Sequence, residues 1–256
     1  MVWIGDLHPE VMTVNTVFGY NEVIPKSIDL IRDSTPLPRW MTMCTYSLWW
    51  ILIQRDWYLY QGNLDYLKEQ KSYLCDLLQL IMTRIGEDGL EKFNDDEGRF
   101  LDWPSCENPL AINAGVQALV IQAMKAGYEL CSVLGEDMLA TKCEAVRRKM
   151  VNAAPKIIKP FLKSGMAPDA PGQKQAASLL ALTGLISPKE ANQKYLSVNG
   201  GHGFSTFYGY YMLQAMAAAG NYQGAIDVIR QYWGAMIDLG ATTFWEDFNL
   251  DWLPDA

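Results

Sequence analysis

Long hydrophobic runs are missing from this sequence. The longest extends from about Tyr46 to Ile53, far short of the ~20 residues that a membrane-spanning helix requires. The first residues, from Met1 to Asp6, lack the basic start and the long apolar stretch of a signal peptide. We therefore expect a soluble chain with no signal peptide and no membrane partner, while its compartment stays open.

Basic side chains are outnumbered by acidic ones. The 256 residues include 21 Lys and Arg against 29 Asp and Glu, which gives a formal net charge of −8. Surfaces that bind along a phosphate backbone are basic, whereas this chain is acidic, so we expect no nucleic-acid partner. Half of the residues are hydrophobic, and that proportion fits a globular chain with a well-buried core.

The usual patterns for cofactors and metals are also absent. None of the five cysteines belongs to paired Cys-x-x-Cys motifs, so we expect free thiols and no structural zinc. Residues 199–203 are rich in glycine but lack the Lys-Ser/Thr of a phosphate-binding loop. Asn94, Asp95 and Asp96 lack the alternating oxygen ligands of a calcium loop. The sequence predicts no cofactor and no metal.

Apolar residues recur instead at steps of three and four, as in 63–83 and 116–134, whereas strict alternation is scarce. Gly62 and Gly220 each stand where one helix ends, and each is followed by an Asn that can begin the next helix. Such tight connections predict antiparallel helical hairpins in series, in a solenoid or a closed toroid.

The periodicity predicts an all-α protein. Residues 153–173, with four prolines, are predicted to form a long loop with an irregular strand. The predicted helices lie near 8–19, 21–33, 45–61, 63–84, 109–134, 137–152, 174–185, 188–196, 204–219 and 221–239.

Four motifs in or beside the predicted loops could carry chemistry. Trp3-Ile4-Gly5-Asp6 precedes the first helix, where Asp6 is either a functional carboxylate or a helix N-cap. Asp102-Trp103 follows a turn-rich segment and is either a surface hairpin with a packed indole or a sugar site. An indole face stacks on a sugar ring while a carboxylate accepts hydrogen bonds from its hydroxyls.

The other two motifs lie near the end of the chain. His202 is surrounded by glycines, which favours a role in contacting a sugar or ordering a loop; pairing with Ser205 as a nucleophile lacks an evident triad order. Glu246 follows Trp245 in a short β-prone stretch. A carboxylate buried against an indole has a raised pKa, which suits an acid or base, whereas the alternative is an exposed Glu on a structural strand.

Taken in order, these motifs resemble the catalytic domain of glycoside hydrolase family 78, the α-L-rhamnosidases. Trp3-x-Gly5-Asp6, Asp102-Trp103 and the loop at His202 match elements of the family pattern, and the most specific match is Ala241-Thr242-Thr243-Phe244-Trp245-Glu246. The resemblance covers nearly the whole chain. It implies an all-α, (α/α)6-type toroid with a few short β hairpins in its loops, formed by residues 1–256 as a single catalytic-type domain.

The resemblance also implies an activity and its residues. Members of the family hydrolyse terminal α-L-rhamnosides with inversion, and by position Glu246 would be the general base. No cofactor is implied, and the partner is a small carbohydrate ending in rhamnose. The residues expected to bind the sugar are Trp3, Asp6, Asp102, Trp103, His202 and Trp245.

One departure from the family pattern concerns the general acid. The family carries it just before Trp-x-Gly-Asp, whereas this chain starts at Met1, two residues before Trp3. Most of the first helix of the toroid and the flanking β-sandwich domains are then expected to be absent as well. Either the chain is an excised or engineered fragment with impaired activity, or another carboxylate such as Asp6, Asp102 or Glu107 replaces the acid.

Two other function classes compete with hydrolysis of rhamnosides. A non-catalytic carbohydrate-binding or scaffold domain would keep the aromatic pocket without the acid. A lyase or unsaturated-uronate hydrolase would need basic loops, and Arg39 and Arg99 are the only obvious loop arginines. The aglycone and the oligomeric state stay open, although exposed apolar surface on a fragment would allow a dimer.

Overall fold

The computed structural model describes residues 2–253, and their regular structure is helical. A π-helical turn at Asn192–Leu196 follows α9, and the loops contain short 3-10 turns. The helices are α1 Ile4–Phe18, α2 Val23–Ser34, α3 Cys44–Gln61, α4 Leu64–Met82, α5 Pro109–Val133, α6 Asp137–Ala153, α7 Pro155–Leu162, α8 Gln173–Leu182, α9 Pro188–Ala191, α10 Thr206–Ala218 and α11 Tyr222–Asp238. The predicted all-α class is confirmed.

The tight connections follow the predicted glycine chemistry. Gly62 adopts a left-handed conformation with φ of 64°, its N–H donates to the Tyr58 carbonyl, and the Asn63 side chain caps α4. The same arrangement recurs at Gly220, whose φ is 81°, and at Asn221, which caps α11. Glycine adopts this conformation without a Cβ clash, so only two residues separate α3 from α4 and only three separate α10 from α11.

The prediction of a long loop over 153–173 was wrong at its start, because α7 occupies Pro155–Leu162. Pro155 begins that helix, where a missing N–H costs nothing since the first turn has no intrahelical acceptor for it. Ile158 and Phe161 then bury one face of the helix. Helix α1 also begins earlier than predicted, so Asp6 lies in its first turn and is not its N-cap.

The β hairpins expected in the loops are reduced to one isolated antiparallel bridge, between Ile85 and Glu91, and residues 2–253 contain no strand. A ladder needs backbone groups that pair in register on both sides of the turn. Here the backbone N–H of Arg84, which would complete the pair with Lys92, donates to the Ile81 carbonyl at 2.9 Å instead. The turn that follows α4 therefore takes the donor that would extend the pairing.

The described residues fall into two compact units, 2–99 with 119–155 and 100–118 with 156–253. In the first unit, the fully buried Trp49, Trp50 and Trp57 of α3 form the centre of the core. Gly5 of α1 packs so closely there that a Cβ would lie 2.5 Å from the Tyr46 ring. The single-domain prediction for 1–256 stays a prediction.

The second unit is built around α8, which is buried from Gln173 to Ala181. Helix α10 packs against α8, and Gly209 of α10 lies where a Cβ would be 2.5 Å from the Trp233 ring. The second unit contains five of the predicted site residues, namely Asp102, Trp103, His202, Trp245 and Glu246. Within the described chain, no helix is both long and apolar enough to cross a bilayer.

Candidate functional site

Two predicted site residues meet directly in the second unit. The indole Nε1–H of Trp103 donates to Oε1 of Glu246 at 3.2 Å, although 143 positions separate the two residues. Both side chains are exposed, Trp103 at 61%. The hydrogen bond orients one carboxylate oxygen, and the other has no hydrogen-bond partner among the described residues. A carboxylate held in this way can accept a proton from a bound water.

The expected burial of Glu246 against Trp245 is not what the structure contains. Glu246 is exposed, and the half-buried Trp245 packs instead on Phe248, with the ring centroids 5.7 Å apart. The β-prone stretch forms no strand, because its carbonyls accept hydrogen bonds from helix side chains. Thr206 Oγ1 donates to the Trp245 carbonyl at 2.6 Å, and the Tyr232 hydroxyl donates to the Phe248 carbonyl at 2.8 Å.

Asp102 is buried, and protein groups occupy both of its carboxylate oxygens. Oδ1 accepts from the Ser105 backbone N–H at 3.1 Å and from the Ser105 hydroxyl at 2.7 Å. Oδ2 accepts from the Ser205 hydroxyl at 2.6 Å and from the Gln175 amide at 3.0 Å. Burial raises the pKa of Asp102, and these hydrogen bonds oppose the rise. The geometry makes Asp102 the anchor of the segment that presents Trp103.

A buried lysine holds the glycine-rich loop that carries His202. Lys174 of α8 is fully buried, and its ammonium donates to the Val198 carbonyl at 2.8 Å and to the Gly200 carbonyl at 2.7 Å. Burial lowers the pKa of Lys174 to about 8, while the charge of Asp169 opposes the shift. A lysine can donate to two carbonyls at once, so this one side chain sets the path of the loop.

His202 itself is half-buried, with Nδ1 3.1 Å from a carboxylate oxygen of Asp251. The loop is further fixed by Asn199, whose backbone is left-handed with φ of 53° and whose amide donates to Asp169 at 2.6 Å. These contacts hold the loop in place, and the role of His202 in contacting a sugar stays a prediction. They also leave the imidazole partly accessible to a ligand.

The first motif lies in the first unit. Trp3 is 52% exposed just before α1, and Asp6 is exposed in its first turn. Glu10 follows one turn later, so the two carboxylates share a helix face. Partial burial and the negative charge of Asp6 raise the pKa of Glu10. A carboxyl group that keeps its proton to higher pH has the property that a general acid needs.

Sequence reasoning missed several of these residues for identifiable reasons. Ser105 could have been found, because a Ser three positions after Asp102 suits an Asx-type turn. Glu10 could have been found from its i, i+4 spacing with Asp6. Gln175, Lys174 and Thr206 gave no local signal, since each acts on a carbonyl or carboxylate that is distant in the sequence.

Metal binding and a basic loop surface find no support in the described part of the chain. Residues 2–253 contain no group of three or more His, Cys, Asp or Glu side chains arranged to hold a metal ion. Arg99, one of the two loop arginines, forms an ion pair with Glu91. Its charge is therefore already compensated, which disfavours the uronate interpretation.

Residues 1–255 match the family model described as the bacterial alpha-L-rhamnosidase 6 hairpin glycosidase domain. The chain belongs to this family. The resemblance to glycoside hydrolase family 78 and the six-hairpin, (α/α)6-type fold class predicted from the motifs are therefore confirmed. No curated protein matches the sequence.

Two solved structures share the fold. A rhamnosidase from Klebsiella oxytoca with rhamnose bound has a TM-score of 0.77 and 18% identity, over 98% of this chain and 52% of that one. The GH78 family rhamnosidase of Bacillus sp. GL1 has a TM-score of 0.74 and 22% identity, over 95% of this chain and 28% of that one. The chain spans about half the length of the first protein and less than a third of the second.

Proposed function

We propose that this chain hydrolyses terminal α-L-rhamnosides with inversion, and that Glu246 is the general base. The observation that carries the proposal is the hydrogen bond from Trp103 to Glu246, because it joins two motifs that were singled out independently. An inverting hydrolase uses one carboxylate to activate water and a second, protonated carboxyl to assist the leaving group. The family and the rhamnose-bound neighbour support the substrate class.

The residues proposed to contact the sugar do so in two ways, by stacking on the ring and by polar contacts with its hydroxyls. In the second unit, the exposed indole of Trp103 offers an apolar face to a sugar ring, and His202 offers polar atoms to sugar hydroxyls. In the first unit, the exposed Trp3 and Asp6 offer the same two kinds of contact. Trp245 is half-buried beside the base. Asp102 contributes by fixing Trp103, since hydrogen bonds within the protein occupy both of its oxygens.

An experiment can assign the general acid among three carboxyls. Asp6 and Glu107 follow from the sequence, and the raised pKa of Glu10 adds a third. Asp102, the other candidate from the sequence, is set aside because it is buried and protein groups occupy both of its oxygens. Loss of an acid slows substrates with poor leaving groups far more than substrates whose leaving group departs without a proton. Single Asn or Gln variants, assayed on one substrate of each kind, therefore separate the acid from residues that only bind.

The proposal is tested by hydrolysis of two aryl α-L-rhamnosides, one with a good and one with a poor leaving group. Glu246→Gln should lower kcat by at least ~10²-fold, the usual contribution of a general base. Asp247→Asn is the matched control, because Asp247 is the adjacent exposed carboxylate in the same loop. NMR of the first-formed sugar should show the β-anomer.

Other outcomes would decide against the proposal. A first product with the α configuration would refute inversion, and equal losses in both variants would remove Glu246 from its role. Binding of rhamnose without turnover would favour the carbohydrate-binding module. If the protein neither binds rhamnose nor hydrolyses a rhamnoside, rhamnose is not its ligand.

A further inference from the structure

Two adjacent hydroxyls at the start of α10 hold the two segments that meet at Trp103 and Glu246. Ser205 donates to Oδ2 of Asp102 at 2.6 Å, and Thr206 donates to the Trp245 carbonyl at 2.6 Å. Asp102 directly precedes Trp103, and Trp245 directly precedes Glu246. A single dipeptide therefore fixes the residue before each partner of the indole–carboxylate bond.

The geometry of Ser205 indicates a role beyond stabilising its helix. Ser205 occupies the N-cap position of α10, where a serine hydroxyl ordinarily accepts a hydrogen bond from the first turn. Here no side-chain cap bond forms, and the hydroxyl points to Asp102 instead. The contact is buried, with Ser205 7% and Asp102 6% exposed, so solvent does not compete for it.

The partners that the dipeptide aligns are themselves exposed. A hydrogen bond between two exposed side chains is weak, because water competes for both groups and each side chain must give up rotamer freedom. Anchoring the backbone on both sides removes most of the remaining freedom. Thr206 and Tyr232 hold the carbonyls of Trp245 and Phe248, which flank Glu246.

We propose that Ser205 and Thr206 are positioning residues that set the alignment of Glu246 with Trp103 and thereby the placement of the general base. This inference rests on the proposed function and deepens it. Displacement of a reacting group by about 1 Å costs up to ~10²-fold in rate. Every side chain proposed to contact the sugar is retained when Thr206 or Ser205 is replaced, so the loss should fall more on kcat than on KM.

The test uses two variants of Thr206. Thr206→Val removes the hydroxyl at nearly constant volume, whereas Thr206→Ser keeps a hydroxyl and removes only the methyl group. Thr183→Val is the matched control, since Thr183 is also half-buried in the second unit and donates to the Leu179 carbonyl at 2.7 Å. We expect Thr206→Val to lower kcat by ~10–100-fold with KM changed less than ~3-fold. Thr206→Ser and Thr183→Val should each retain most of the parent activity.

A second measurement is independent of turnover. The Nε1–H resonance of Trp103, assigned by its loss in Trp103→Phe, reports the bond to Glu246 in a ¹H–¹⁵N spectrum. It should shift in Glu246→Gln, in Thr206→Val and in Ser205→Ala, and stay in place in Thr183→Val. If the parent hydrolyses no rhamnoside, the proposed function fails while this resonance still decides whether the dipeptide positions the pair.

The inference is overturned by any of three results. An unchanged Trp103 resonance in both Thr206→Val and Ser205→Ala would show that the dipeptide does not align the pair. Equal losses of kcat in Thr206→Val and Thr183→Val would indicate general destabilisation. Failure of Thr206→Ser to retain activity would exclude the hydroxyl as the cause. Should Thr206→Val not fold, Ser205→Ala gives the same readouts.

Discussion

The buried lysine under the glycine-rich loop gives a sharp prediction about stability. Lys174→Met keeps an apolar side chain of similar length and removes both the charge and the donors to the Val198 and Gly200 carbonyls. A buried carbonyl left without a donor costs about 1–3 kcal/mol, and these two carbonyls are partly buried, so the lower end of that range applies to each. At neutral pH this loss is partly offset, because the variant no longer places a charge in a buried site.

The pH dependence isolates the charge from the lost hydrogen bonds. The pKa of Lys174 is about 8 in the folded protein, against about 10.4 for an unperturbed lysine, a difference worth about 3 kcal/mol. Between these two values the unfolded chain binds more protons than the folded one, so the free energy of unfolding rises with pH. The neutral amine keeps two N–H donors for its two carbonyls. We expect the stability advantage of the parent over Lys174→Met to grow by about 2–3 kcal/mol from pH 7 to pH 10.

The assay is urea unfolding of the parent and Lys174→Met at several pH values from 6 to 10. Taking the difference between the two proteins cancels the titration of groups that they share. Lys189→Met is the control, because Lys189 is exposed, and its difference from the parent should stay nearly constant over the same range. A difference for Lys174→Met that is flat with pH, or that shrinks as the pH rises, would refute a lowered lysine pKa.

Three further predictions concern packing and the proposed site. Gly5→Ala should lower the free energy of unfolding by about 1–3 kcal/mol in urea titrations, since its Cβ would lie 2.5 Å from the Tyr46 ring; unchanged stability would contradict that close contact. Trp103→Phe should lower kcat by ~10-fold with little change in Tm, because the exposed indole loses only the bond to Glu246; a large fall in Tm would count against this. If Glu10 is the acid, Glu10→Gln should slow hydrolysis of the poor-leaving-group rhamnoside by ~10²-fold and spare the good one, and equal effects would exclude it.

Much of the fold could be predicted because its signals are local. Helices such as α5 and α11 follow from apolar residues at steps of three and four within one segment. Gly62 and Gly220 mark helix ends through their own backbone freedom, which no distant residue needs to supply. The misjudged helix α7 shows the limit of this reasoning: prolines suggested a loop, yet burial of Ile158 and Phe161 holds the segment in a helix.

The candidate site was predictable as a set of residue types and motifs. Trp, Asp, His and Glu in ordered loops indicated a carbohydrate site and a family whose model matches the chain. The sequence by itself therefore determined the helical class, the hairpin connections and the residues worth examining. It also placed Trp103 and Glu246 in separate motifs with no sign of their contact.

Only the tertiary structure decided how those residues are used. Glu246 is exposed and bonded to Trp103, whereas Asp102 is buried and fully engaged by protein donors. Lys174 and Thr206 act on carbonyls 24 to 39 residues away. Burial and hydrogen-bond partners set the charge state and orientation of a side chain, and both depend on which distant segments pack beside it.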